Sequence, residues 1–186
     1  MIKKNITSLP DVYEIEPNVV VDDRGYFIEA VSETALEQIG ISFDFVEMNE
    51  RYLKEKGTVR GLHFQNEPHA QAKLIRVTSG AIYDVAVDMR RGSPTYLNWT
   101  GVELTAENHK MLYIPRGFAH GYITLCDNTI ISYAVDAPYA PSLERVIRYN
   151  DPSIGIDWGT DTPLLSQRDA AALDVGECDC NITYKV

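Results

Sequence analysis

Residues 57–88 read GTVRGLHFQNEPHAQAKLIRVTSGAIYDVAVD. Three short runs, Thr58 to Gln65, Ala72 to Thr78 and Ala81 to Asp88, are rich in β-branched and aromatic residues and alternate in polarity. Asn, Pro, Ser and Gly separate them, so the stretch reads strand, loop, strand, turn, strand. In the third run the side chains at 81, 83, 85 and 87 are apolar and those at 82, 84, 86 and 88 form a mixed opposite face. In the first, a regular strand puts 59, 61, 63 and 65 on one face, so His63 and Gln65 look the same way. A histidine with cations to either side of it, Arg60 and Lys73, is an arrangement that can grip an anion and move a proton. Arg60 offers a planar fork suited to phosphate, and Lys73 a compact ammonium suited to a developing oxyanion. The same spacing is also that of an ordinary polar strand face, so the rest of the chain decides between the two.

Outward from this stretch the rhythm continues. Val12 to Val21, Tyr26 to Val31 and Phe43 to Asn49 precede it as strands. Tyr96 to Leu104, Lys110 to Ile114, Gly121 to Thr124 and Thr129 to Val135 follow. Only two short helices interrupt them: Ser32 to Ile39, with Ser32 as N-cap and Gly40 at the stop, and Ser166 to Leu173, with Ser166 as N-cap. Many short strands with little helix predict an all-β fold, a sandwich or barrel of the jelly-roll kind. At 186 residues the chain suits one domain spanning 1–186. Prolines at 138, 141, 152 and 163 break the remainder into loops, and the segment from about 137 to 186 is expected to pack on the barrel or close over its mouth.

A formal net charge of -10 argues against nucleic acid or an anionic membrane as partner, and any anionic ligand must be met by a local cluster of Arg and Lys. No apolar run reaches the roughly 18 residues of a membrane span. Three cysteines, Cys126, Cys178 and Cys180, suit a reducing compartment, and a cytoplasmic protein is expected. Cys178 and Cys180 alone are too few ligands for a metal.

Tyr113-Ile114-Pro115-Arg116-Gly117-Phe118-Ala119-His120-Gly121 is the second informative stretch. Its Pro-x-Gly-x-x-His resembles the second half of the cupin signature, in which the histidine is often a metal ligand. Where the first half normally supplies two histidines and a later glutamate, this chain has His63-Phe64-Gln65 and one of the three. The fold signal survives and the metal signal fails, so no metal and no cofactor is expected.

Six ordered motifs then narrow the resemblance: Asp23-Arg24-Gly25-Tyr26-Phe27-x-Glu29, Val59 to Gln65, Lys73-Leu74-x-Arg76-Val77, Asp84-Val85-x-Val87-Asp88-x-Arg90, Pro115-x-Gly117-Phe118-Ala119-His120-Gly121, and Asn150-Asp151-Pro152. Together, from about residue 10 to 170, they resemble the dTDP-4-dehydrorhamnose 3,5-epimerase family. The resemblance implies a cupin-type homodimer acting, without metal or organic cofactor, on a nucleotide-diphosphate-linked 4-keto-6-deoxy sugar. A proton on carbon 3 or 5, beside the 4-keto group, is acidic enough for a histidine base if the enolate is stabilised, and an acid on the other face must return a proton to invert the centre.

By that resemblance His63 is the base, Asp169 its orienting partner, Lys73 the neighbour of the 4-keto oxygen and Tyr133 the acid. Arg24, Glu29, Asn49, Arg60 and His120 match positions lining the nucleotide-sugar site, as do Tyr139, Glu144 and Arg168. Arg60 and Arg24 are the diphosphate grips, and Phe27 either stacks on the nucleobase or packs in the core. The family commonly has glutamine where this chain has Glu47. An ionised glutamate only accepts hydrogen bonds, which favours cytosine or guanine over thymine if Glu47 meets the base edge. Tyr133-Ala134 and Pro138-Tyr139 also depart from the family's usual pattern, leaving open inversion at one carbon only or a CDP- or GDP-linked sugar. A non-catalytic sugar-nucleotide-binding cupin is the reading from another class.

Overall fold

The computed structural model describes residues 2–185. The chain opens with β1 (Lys3–Ile6), β2 (Tyr13–Glu16) and the hairpin β3 (Val19–Asp22) and β4 (Gly25–Ile28), followed by α1 (Glu33–Gln38). Then come β5 (Glu47–Leu53), β6 (Val59–Gln65), β7 (Lys73–Ser79), β8 (Ala81–Asp88) and β9 (Trp99–Thr105). After them come β10 (Met111–Ile114), β11 (Phe118–Thr124), β12 (Thr129–Val135) and β13 (Glu144–Val146), then the single-turn helix α2 (Gln167–Ala170) and a 3-10 turn at Val175–Glu177.

The strands form two facing antiparallel sheets of a cupin-type jelly roll. One has six strands in the order β1-β2-β10-β7-β12-β5, the other five in the order β13-β6-β11-β8-β9. Hairpin β3–β4 stands apart as a two-stranded ribbon. Ile75, Val77 and Ile131 of the larger sheet meet Ile82, Ala86 and Phe118 of the smaller one in the inner core. Removing the Ile, Val and Phe side chains among these from water supplies about 1.5–3 kcal/mol each.

Both outer faces are covered as well. Leu36 of α1, Ile41 and Phe43 lie over Leu74, Met111 and Ala134. Ile154, Ile156, Trp158, Cys180 and Ile182 of the C-terminal segment lie over Phe64, Val85 and Val87. This explains why β8 is apolar at both parities: Val85 and Val87 serve the outer cluster while Ile82 and Ala86 serve the inner one. Asp151 is 1 % exposed and anchors this segment by accepting from the backbone N–H of Ser153 (2.7 Å) and of Val175 (2.6 Å).

The expected strands at 81–88 and 129–135 have those bounds, and others differ for identifiable reasons. Val12 to Val21 is two strands, β2 and β3, interrupted at Pro17-Asn18, where the proline has no N–H for a ladder. Phe43 belongs to no strand: its ring packs edge-on against Tyr113, 6.2 Å between centroids, and β5 begins only at Glu47 and runs on to Leu53. Strand β11 starts at Phe118, so His120 is inside a strand rather than at its entrance. The second helix is shorter than 166–173, spanning Gln167–Ala170, with Ser166 as its N-cap. Strands β1 and β13 were not legible in the alternation.

Candidate active site

The inner face of the smaller sheet carries the histidines. His63 on β6 pairs in register with His120 on β11, and the register then slips so that Arg60 pairs with Tyr122. Two steps along β11 thus oppose three along β6, which is a bulge at Gly61-Leu62. A regular strand would send Arg60 to the face opposite His63, and the bulge instead turns both into one pocket. Gly61 makes this possible. It sits at φ +123°, and a Cβ there would stand 2.7 Å from Gly121 Cα. The expectation that 59, 61, 63 and 65 form one face therefore fails across the bulge, while His63 and Gln65 do line the same pocket.

The larger sheet closes the pocket from the other side. Lys73 on β7 and Tyr133 on β12 lie on its inner face and line the pocket with Gln71, His120 and Tyr122. Burial pulls the Lys73 ammonium down to about 8, against the opposing pull of Asp136 and Glu144. Its Nζ donates to Gln71 Oε1 at 2.9 Å. A lysine so placed is still mostly cationic at neutral pH and is only thinly solvated, which strengthens any hydrogen bond it donates to a developing oxyanion. Gln65 is fixed by its own bonds, donating to His69 O at 2.6 Å and accepting from Ala140 N at 2.8 Å.

His63 is held at both ring nitrogens. Nε2 stands 2.7 Å from Asp169 Oδ1, and Nδ1 stands 2.9 Å from Glu144 Oε1. Leu164 lies beside Thr58 in a parallel bridge, which carries the chain along the edge of β6 to the Ser166 cap and delivers Asp169. Asp169 is 3 % exposed, and its second oxygen accepts from Ser166 Oγ at 2.6 Å. Burial pushes its carboxyl up, but hydrogen bonds from His63 and Ser166 outweigh that and hold it below the usual range.

Glu144 arrives on β13, the edge strand beside β6. Its Oε2 accepts from Tyr139 OH at 2.6 Å and from Arg168 at 2.8 Å. Burial raises this carboxyl too, yet the bonds from His63, Tyr139 and Arg168 pull it down to about 2. Of the two carboxylates on His63, Glu144 lines the pocket and Asp169 lies behind the ring.

His120 has a single carboxylate partner. Its Nε2 is 2.6 Å from Asp84 Oδ1. Asp84 is fully buried, its Oδ2 has no hydrogen-bond partner among the described residues, and burial pushes its carboxyl up. Asp84 was seen in the sequence only as part of a motif. A carboxylate inside the otherwise apolar run AIYDVAVD was the signal that it meets a partner.

Other expected residues stand elsewhere. Glu47 and Asn49 are on β5 at the open edge of the larger sheet, facing the same way as Tyr133 but outside the lining of the His63 pocket. Arg24, Phe27 and Glu29 are not brought to His63 within one chain. Phe27 is 68 % exposed on the β3–β4 ribbon, where Arg24 pairs with Asp22 at 2.5 Å, and Glu29 borders a separate groove beside α1. No group of three or more His, Cys, Asp or Glu among the described residues is arranged to hold a metal, and no described helix is long and apolar enough to cross a membrane.

A histidine backed by a buried carboxylate, with a depressed-pKa lysine and a tyrosine across a pocket, is an arrangement for moving protons beside a carbonyl. The comparisons with known proteins point the same way. A family model described as dTDP-4-dehydrorhamnose 3,5-epimerase matches residues 6–177. A curated protein of that name from Salmonella typhimurium is 46% identical over 168 residues, covering 89% of this chain and 91% of its own length. A crystal structure of dTDP-6-deoxy-D-glucose-3,5-epimerase from Legionella pneumophila, in complex with dTDP-4-keto-L-rhamnose, superposes with a TM-score of 0.95 at 37% identity, covering 100% of both chains. Another, dTDP-4-dehydrorhamnose 3,5-epimerase from Bacillus anthracis with TDP and PPi bound, has a TM-score of 0.91 at 43% identity, covering 94% of this chain and 100% of that one. With sequence and fold agreeing over nearly its whole length, the chain belongs to the dTDP-4-dehydrorhamnose 3,5-epimerase family.

Proposed function

We propose that the protein is an isomerase that inverts carbons 3 and 5 of a dTDP-linked 4-keto-6-deoxyhexose, of the dTDP-4-dehydro-6-deoxyglucose to dTDP-4-dehydrorhamnose type, in deoxysugar biosynthesis. The observation that carries the mechanism is the pairing of His63 with buried Asp169 at 2.7 Å, across the pocket from Lys73 and Tyr133. His63 removes the proton next to the ketone, and Asp169 fixes the ring and balances the charge it gains. Lys73 donates to the enolate oxygen, which carries the negative charge left by the departing proton. Tyr133, on the opposite sheet, returns a proton from the other face, and the centre is inverted. Electrons pass from the C–H bond into the enolate and back to the new C–H bond, so no external oxidant, reductant or metal enters the balance.

Arg60 and His120 grip the diphosphate end within the pocket, with Arg168 and Tyr139 at the rim. Arg24, Phe27 and Glu29 complete the nucleotide end from a second copy. That requires a homodimer, and the exposed Val20, Val21, Tyr26 and Phe27 of the ribbon are apolar enough to seek one. The C-terminal segment belongs to the same single domain, and the three free cysteines suit a cytoplasmic setting. The test is proton NMR in deuterated water with dTDP-, CDP- and GDP-linked 4-keto-6-deoxysugars. Loss of both the carbon 3 and carbon 5 signals, fastest with dTDP, supports the proposal. Loss of one signal assigns a single-centre epimerase, faster exchange with CDP or GDP assigns Glu47 to base selection, and no exchange overturns the enzymatic reading.

A further inference from the structure

Both nitrogens of His63 face carboxylate oxygens, and this arrangement is not that of a base ready to act. Glu144 and Asp169 are both held ionised by their surroundings. An ionised carboxylate only accepts hydrogen bonds, so each contact needs an N–H from the ring. A ring that bridges the two carries a hydrogen on each nitrogen and has no lone pair to offer. Asp169 cannot be the partner that leaves, because it is enclosed and tied to Ser166 and to Gly61 N. Glu144 stands on the pocket side, on the nitrogen that a C–H bond of the ligand would have to approach.

Building on the epimerase reading, we propose that Glu144 is a substrate-released lock on the catalytic base, keeping Nδ1 of His63 covered until a nucleoside diphosphate engages the pocket rim. The key is Arg168. Its guanidinium is half-exposed and holds Glu144 Oε2 at 2.8 Å, while Tyr139, also exposed, holds the same oxygen at 2.6 Å. A diphosphate arriving at the rim competes for the guanidinium, bidentately and with more charge than one carboxylate. Glu144 then keeps His63 and Tyr139 but loses the Arg168 guanidinium and faces a neighbouring anion, both of which favour its protonated form. The Nδ1–H bond breaks, the proton passes to Oε1 as the new O–H bond forms, and the neutral carboxyl moves aside. The ring keeps Nε2–H on Asp169 and presents a bare Nδ1. The charged groups around the ring are Asp169 from α2, Glu144 from β13, Arg168 from α2, Arg60 and His120 from the paired strands, and Lys73 from the facing sheet. Only Glu144 lies both on a pocket-facing ring nitrogen and under a rim cation. Such a lock ties the exposure of the base to recognition of the nucleotide, so that small ketones lacking a diphosphate are not deprotonated.

The test is nitrogen NMR of the full-length protein labelled in its histidine rings, with the His63 signals identified by their loss in His63→Asn. In the free protein at neutral pH both His63 nitrogens are expected to show one-bond coupling to hydrogen. With saturating dTDP as probe, the Nδ1 coupling is expected to disappear while that of Nε2 stays. In Glu144→Gln, whose amide can donate to a bare nitrogen, Nδ1 is expected to lack hydrogen with or without dTDP, and Glu144→Asp is expected to restore the dTDP dependence at least in part. A bare Nδ1 in the free wild type, or two N–H groups persisting in the dTDP complex, would overturn the lock. Because these readings need no turnover, they are separate from the epimerase reading, which fails instead if the wild type exchanges no sugar proton.

Discussion

His63 and His120 sit opposite one another on neighbouring strands, and each leans on an aspartate at hydrogen-bond distance, yet their surroundings differ. Asp169 behind His63 is satisfied by Ser166 and held ionised, and the far side of the ring is covered by a second, releasable carboxylate. Asp84 behind His120 is deeper, keeps one oxygen without a partner among the described residues, and is pushed up by burial. The first is a proton-moving pair, because its carboxylate stays charged and can balance a ring that gains and loses a proton. In the second, Asp84 is so strongly desolvated that it is a poor store of negative charge, so it serves to fix the His120 ring, which suits binding rather than proton transfer. Two histidine–aspartate pairs in register thus divide catalysis from binding by the solvation of their carboxylates.

The sharpest way to break this comparison is to neutralise each aspartate in turn. Asp169→Asn is expected to lower kcat for solvent deuterium exchange by about 10²–10⁴, since the ring loses both its orientation and its counter-charge. Steady-state exchange rates check this, and a loss confined to KM would contradict the division. Next in size, Lys73→Met is expected to lower kcat by about 10²–10³ through the loss of an enolate donor. The wild type should also lose activity as pH rises through about 8, where Lys73 gives up its charge. In Lys73→Arg that alkaline limb should move upward, because a guanidinium stays protonated.

Glu144 gives a smaller effect, on stability. Its carboxyl is held at about 2, below the ordinary glutamate value of 4.5, so it favours the folded state above pH 4.5 and loses that contribution as pH falls toward 2. The contribution is on the order of 1–3 kcal/mol. Denaturant titrations at pH 7 and pH 3 should show a shallower acid loss for Glu144→Gln than for wild type. Smallest is Asp84→Asn. The amide oxygen still accepts from His120, and no second bond is forfeited, so the expected result is about a tenfold rise in KM with kcat little changed. An equal fall in kcat would move His120 into the chemistry.

The strands were legible in the sequence because short runs of β-branched and aromatic residues bounded by turn residues mark them, and AIYDVAVD and the run from Thr129 to Val135 kept their bounds; the alternation read in AIYDVAVD did not show that β8 is buried on both faces. What alternation could not convey was the bulge. Period-two counting put Arg60 opposite His63, and only the two glycines at 61 and 121, each of which a Cβ would bring against the other strand's backbone, hint at the extra step. Glu144 lies 81 residues from His63 along the chain, and no local pattern joins them; family resemblance placed it near the ligand but not on the base. The ribbon carrying Arg24 and Phe27 was legible as strands, and its distance from His63 was not, because alternation records which side of a strand is apolar and not where the strand stands in the fold.

The most direct measurement compares His63→Asn with His120→Asn in the same deuterium wash-in assay, under saturating dTDP-4-keto-6-deoxyglucose. His63→Asn is expected to lose exchange at carbons 3 and 5 together, and His120→Asn to retain most of its kcat while requiring more substrate. Exchange that survives in His63→Asn at either carbon, or that vanishes at saturation in His120→Asn, would contradict the assignment of His63 as the base and of His120 as a binding group.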